Sequence, residues 1–200
     1  ATLPGYRGRG YARRIMEHIT EKYDGLPMYL EANEDVLDFY PRFGFALQEQ
    51  KRPVIQAEID NEALSMRLCY TDEKVKNYIN GRKNYSNVFD CMGSEGINLF
   101  YLYSGIYENC IYDIPNLETM VVAKQQAGTL YLYGVFSKRE ISFASLLEQL
   151  PFAGIKRVLP GFMPCWDDAA YTMEAYAQDP FFVKGTLCDQ DFIFPLLSLT

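Results

Sequence analysis

Two glycines stand inside a run of arginines, Arg7-Gly8-Arg9-Gly10-Tyr11-Ala12-Arg13-Arg14, and this junction constrains the fold more than any other stretch. Glycine reaches backbone conformations closed to other residues, so Gly8 and Gly10 permit a sharp loop whose N–H groups turn toward one point. Ala12, Ile15, Met16, Ile19 and Tyr23 then recur at the helical period, which predicts a helix over 12–23 with one apolar stripe. The start of such a helix adds about half a positive charge from its aligned peptide dipoles. Loop and helix start together make a recipe for an anion, above all a diphosphate. A solvated basic loop closed by a tight turn is the other reading of the same residues. The run matches neither G-x-G-x-x-G nor a P-loop.

The basic window is exceptional in a chain of net charge −7. With no second cluster of Lys and Arg, a general nucleic-acid surface is not expected. The five cysteines are widely spaced and never form C-x-x-C, the pattern of reduced thiols. A single histidine, His18, leaves no zinc cage of the usual kinds and no Ser/His/Asp or Cys/His pair. No apolar run is long enough to span a bilayer and no signal-peptide pattern opens the chain, so a cytoplasmic protein without a membrane partner is expected.

Along the chain, Thr2-Leu3 reads as the end of a strand, Pro4 to Gly10 as a loop, and Asp24-Gly25 as the helix stop. Met28 to Ala32 reads as a buried strand, and a second helix is expected from Asn33 or Asp35 to Phe43. Phe45 to Ile59 suggests one or two strands broken near Lys51-Arg52-Pro53. The polar break Asp60-Asn61-Glu62 divides the chain into 1–60 and 61–200. Helices are expected at 72–78 and 97–107, then an antiparallel meander of strands at 110–114, 120–124 and 129–136. A helix at 143–150, a strand at 157–162, a helix at 168–177 and closing strands at 181–184 and 192–197 complete an α/β class in layers.

The run R-x-x-G-x-A from Arg7 to Ala12, ahead of an amphipathic helix, resembles the acetyl-CoA pyrophosphate loop of the GNAT superfamily of N-acetyltransferases. Leu30-Glu31-Ala32-Asn33 and then Tyr40-Pro41-Arg42-Phe43-Gly44-Phe45 follow in order, similar to the family's next strand, helix and Tyr-x-x-x-Gly-Phe close. The resemblance implies a mixed sheet flanked by helices and acetyl-CoA as co-substrate. Backbone amides of Arg7, Gly8, Arg9, Gly10, Tyr11 and Ala12 would grip the diphosphate, aided by the Arg7 and Arg9 side chains, with Ala1 to Leu3 along the pantetheine arm.

Asn33 stands where the family often places an asparagine that touches the cofactor, and a plain helix cap fits it equally. Tyr40 stands where many members put a general acid near the cofactor sulfur, and packing beside Phe39 and Phe43 is the alternative. The chemistry implied is direct attack of a neutral amine on the thioester, with the oxyanion held by backbone N–H and the departing thiolate protonated by a phenol. The acceptor would be a small-molecule or peptide amine, and a homodimer is allowed. A remnant domain that binds acetyl-CoA without catalysis is the rival reading.

Family members carry further strands and helices before this loop, so the first domain is expected to lack its N-terminal strands within these 200 residues, the alternative being that something else completes its sheet. The second part echoes the same topology, with Ser137-Lys138-Arg139-Glu140-Ile141 in place of a glycine loop, which implies a degenerate GNAT-like domain. His18 reads as an ordinary surface or boundary residue. Within Pro164-Cys165-Trp166-Asp167-Asp168, either Asp could cap a helix, or the aromatic and its carboxylates could receive a cationic amine. Tyr101, Tyr103, Tyr107, Tyr131 and Tyr133 fit element faces or a groove.

Overall fold

The structure is a computed structural model that describes residues 2–60, 66–68, 71, 73–83, 86–177 and 180–199. Its helices are α1 (Tyr11–Lys22), α2 (Glu73–Ile79), α3 (Glu95–Tyr103) and α4 (Phe143–Leu147). The strands in chain order are β1 (Met28–Glu31), β2 (Ala46–Leu47), β3 (Gln50–Ile59), β4 (Met66–Arg67), β5 (Ile111–Ile114), β6 (Thr119–Gln126), β7 (Thr129–Ser137), β8 (Ile155–Pro160), β9 (Thr172–Tyr176) and β10 (Phe181–Lys184). Two compact units result, one of 1–49 with 177–189 and the other of 50–176 with 190–200.

Unit 1 holds α1 and a three-stranded antiparallel sheet ordered β1-β10-β2. Its small core is Ala32, Phe45 and Phe182, with Met16, Met28, Leu30, Tyr40 and Phe43 packed around them. The helix forms where its apolar period predicts it. Yet it buries no residue fully, and Ile15 and Ile19 remain exposed.

Unit 2 holds a seven-stranded mixed sheet ordered β4-β5-β6-β7-β8-β3-β9, in which only β7 and β8 run parallel. The meander β5-β6-β7 forms as the turn residues predict. Residues Thr119 to Ala123 of β6 are buried on both faces, because helices cover both sides. Val121 and Ala123 join Phe143 and Leu146 of α4 in one core, while Met120 and Val122 join Val75, Ile79 and Leu102 of α2 and α3 in the other. The expected α/β layering is therefore present.

Several elements differ from the sequence reading. Thr2 and Leu3 form no strand. The expected helix over 33–43 is two short 3-10 turns, Glu34–Val36 and Tyr40–Phe43, because Pro41 cannot sit inside a helix. The strand break falls at Gln48-Glu49, and Pro53 lies within β3, which pairs with β9 over Gln50 to Val54 and with β8 from Ile55 onward. Pro53 thus sits where one edge alone is paired, the setting in which a strand tolerates a missing donor.

The expected helix over 168–177 is instead β9, paired along β3, because ladder pairing overrides weak local propensity. Phe192 to Phe194 are buried but form no ladder, and a 3-10 turn follows at Leu196–Ser198. The boundary between compact units falls at Glu49/Gln50, with Asp60 just after β3 inside unit 2. Asn61 and Glu62, along with Ala1, Cys69 and Asp72, lie outside the described residues.

Candidate cofactor-binding site

The loop ahead of α1 is built by a 3-10 turn, Pro4–Tyr6, in which the Arg7 amide donates to the Pro4 carbonyl at 3.2 Å. Gly8 and Gly10 then take left-handed φ values of 75° and 73°, and Gly10 caps the helix. Arg14 is the first donor into the helix, to the Gly10 carbonyl at 3.0 Å. Among the described residues the amides from Gly8 through Arg13 find no backbone acceptor. Those of Gly10 to Arg13 are the orphan donors of a helix start, and all six stand in solvent-exposed chain. A Cβ added at Gly8 or Gly10 would meet nothing within 4 Å, so a ligand can approach the backbone closely there.

The arginines divide by partner. Arg7 Nε donates to the Thr2 carbonyl at 3.1 Å, which ties the start of the loop. Arg13 pairs with Glu17 at 2.7 Å along the helix. Arg9 lies over the Tyr6 ring at 5.3 Å and Arg14 over the Tyr11 ring at 4.8 Å, with the two rings 6.5 Å apart. Arg7, Arg9 and Arg14 have no acidic partner among the described residues, so the orphan amides share their corner with uncompensated charge. Since the Arg7 amide is engaged, the free cluster begins at Gly8. Ala12 is exposed in the first turn, and Leu3 is 71% exposed beside the loop.

Asn33 precedes the turn Glu34–Val36 with extended backbone and no side-chain cap bond, while its carbonyl accepts from the Val36 amide at 3.1 Å. Tyr40 is half-buried, its ring 5.3 Å from Phe39, 5.7 Å from Phe182 and 6.4 Å from Phe45. The Phe182 contact comes from β10, a strand whose share in this site the sequence reading missed. The apolar run Phe181-Phe182-Val183 signalled a buried strand without saying which sheet it joins. A hollow of about 450 Å³ in unit 1 lies beside Glu17, Thr20, Glu21, Arg42 and Phe43, along the later turns of α1 and not at its amide end.

Unit 2 has a comparable junction of β7, a loop and α4, with the opposite outcome. The amides of Phe143 and Ala144 donate to the two carboxylate oxygens of Asp168 at 2.9 Å each, and Ser145 N–H donates to Ser142 Oγ at 3.1 Å. Burial pushes the Asp168 carboxyl up, but the amides of Ala144 and Phe143 outweigh it and hold the group below its ordinary range. Asp168 is therefore a cap, as the sequence allowed, for a helix that lies upstream of it. Where α1 offers free amides, α4 has filled that position with the protein's own carboxylate.

Residues 1–47 match the family model of the acetyltransferase (GNAT) domain. No curated protein matches the chain. Among solved structures it is similar to a probable N-acyltransferase from Enterococcus faecalis V583, at 15% identity over 92% of this chain and 52% of that one, with a TM-score of 0.45. A GCN5-related N-acetyltransferase from Kribbella flavida gives 15% identity, 92% and 50% coverage and 0.47. Eis1 from Mycobacterium abscessus gives 14%, 92% and 54%, and 0.47. The chain thus spans about half the length of these structures.

Proposed function

We propose that this chain, whose residues 1–47 match the GNAT acetyltransferase domain model, takes part in transferring an acetyl group from acetyl-CoA to an amine. The observation that carries the reading is the cluster of unpartnered amides from Gly8 through Arg13, opened by two left-handed glycines inside the matched segment. Those amides and the helix dipole would hold the diphosphate, with Arg7 and Arg9 adding charge. The amine, in its neutral form, attacks the thioester carbonyl, a backbone N–H stabilises the oxyanion, and the tetrahedral species gives up a nitrogen proton to solvent and collapses with loss of the thiolate. Tyr40 is the candidate proton donor to that thiolate, and Asn33, with its side chain free of a cap bond, is a candidate cofactor contact. Unit 2 reads as a degenerate companion domain, supported by the parallel β7-α4-β8 crossover and by the self-capped start of α4.

Calorimetric titration with acetyl-CoA tests the site. A hundredfold excess over the dissociation constant should stabilise the chain by about 2.7 kcal/mol. Gly10→Glu, which puts a carboxylate into the cradle, should abolish binding while the chain stays folded, and unchanged affinity would refute the reading.

Cofactor binding without transfer is favoured by the aromatic packing of Tyr40, and one variant separates the two. The Tyr40 hydroxyl has no hydrogen bond among the described residues, so Tyr40→Phe should leave stability within about 0.5 kcal/mol. Under the transfer reading kcat for thiol release falls while acetyl-CoA affinity holds. An unaltered rate would assign Tyr40 to packing alone.

A further inference from the structure

We propose that unit 2 carries a second binding site, specific for an organic cation, in the cleft at the C-terminal ends of the parallel strands β7 and β8. The two strands pair from Thr129↔Arg157 to Leu132↔Pro160. Beyond that point β7 continues to Ser137 while β8 ends, and the sheet opens. The cleft has a volume of about 490 Å³ and is lined by the buried Val135 and Phe162, by the loop before α4 and by the segment Cys165 to Asp168. The open carboxyl ends of parallel strands are where layered α/β sheets bind ligands.

The charges of the lining decide what the ligand can be. Asp168 is spent on the amides of Phe143 and Ala144, and with Ser142 it leaves the start of α4 nothing to offer an anion. Arg139 is spent on the carbonyls of Leu117 and Asn116, at 3.3 and 2.9 Å. Lys83, Glu140 and Asp167 remain, none with a side-chain hydrogen bond or ion pair among the described residues. Counting Arg139 and Asp168, which keep their charges, three carboxylates stand against two cations and leave the cleft negative. Burial holds the Cys165 thiol in the cleft wall above its ordinary range, and the nearby charges of Glu140 and Asp167 act in the same direction.

Trp166 supplies the other half of the recognition. Its ring is braced by Phe143 at 4.8 Å and Phe162 at 5.9 Å, yet it stays partly exposed in the cleft wall. An aromatic face flanked by carboxylates holds an alkylammonium through its ring electrons, its charge and its aliphatic body together. The site rests on unit 2 alone and stands or falls independently of acetyl transfer at the α1 loop.

Trp166 is the sole tryptophan of the chain, so its fluorescence reports this cleft directly. Spermidine titrated into the protein should give a saturable change in emission, and inorganic pyrophosphate at matched ionic strength should give none. The double variant Glu140→Gln, Asp167→Asn should weaken the spermidine response at least about tenfold, with an unchanged thermal midpoint. Should that variant fail to fold, Asp167→Asn alone, at an exposed position, should weaken it in the same direction. Glu108→Gln, an exposed acid outside the cleft, should leave it unchanged. No saturable response, a response to pyrophosphate instead, or one that Glu108→Gln weakens as much as the cleft variants, would overturn the proposal.

Discussion

Gly10 shows what one residue contributes to the α1 loop. Its φ of 73° is a conformation that L side chains adopt at a cost, while a methyl placed there would touch nothing within 4 Å. Gly10→Ala therefore tests conformation without steric conflict, and the expected loss is about 1 kcal/mol, read as a lowered thermal midpoint. No loss would mean the loop relaxes freely, and a pre-formed cradle would no longer explain binding.

Asp168 makes the complementary case in unit 2. Its folded pKa lies below the unfolded value, so its contribution is complete above the ordinary carboxyl pKa of 3.8 and fades as pH falls through the folded one. Asp168→Ala should cost about 1 kcal/mol at neutral pH. In urea melts the gap to the parent chain should narrow in strong acid, and a gap independent of pH would remove the ionised carboxylate from the account.

At the scale of elements, local period and turn chemistry made much of this molecule legible. The stripe of Ile15, Met16 and Ile19 announced α1, and Ala127-Gly128 announced the β6-β7 turn, because each signal acts within a few residues. The errors came where a distant partner decides. Thr172 to Tyr176 became a strand through pairing with β3, 118 or more residues earlier in the chain. Asp168 reads as a cap in sequence, yet the amides it caps lie 24 and 25 residues upstream.

The same lesson holds at the candidate site. The glycine loop and helix start over Gly8 to Ala12 were readable because both signals are local. The support of Tyr40 by Phe182 was not, since it depends on where a remote strand inserts. Phe182 is buried at the centre of a core with few members. Phe182→Ala should cost about 3 kcal/mol or more, felt first in unit 1. Amide exchange at Met28 to Glu31 should accelerate while Met120 to Ala123 in unit 2 stays protected. Equal acceleration in both would show that the units open together.

Over the whole molecule, the two units are not consecutive pieces of chain. The polypeptide leaves unit 1 after Glu49, completes most of unit 2, returns for residues 177–189 and ends in unit 2. That return supplies β10, the middle strand of the unit 1 sheet, with β1 paired to it over Met28 to Glu31 and β2 over Ala46 and Leu47. Without β10 neither outer strand has a ladder partner among the described residues, and the core loses Phe182.

Composition and turn signals around 60 suggested a separable first domain, because a polar break is visible in sequence and strand insertion is not. A fragment of residues 1–60 should therefore lack a cooperative thermal transition even though it contains the entire matched family segment and the amide loop. Adding a peptide of residues 177–189 should increase its far-ultraviolet strand signal in a saturable way. A cooperative melt of the fragment alone would show that the loop and its sheet stand without β10, and the dependence of the candidate site on the later part of the chain would have to be given up.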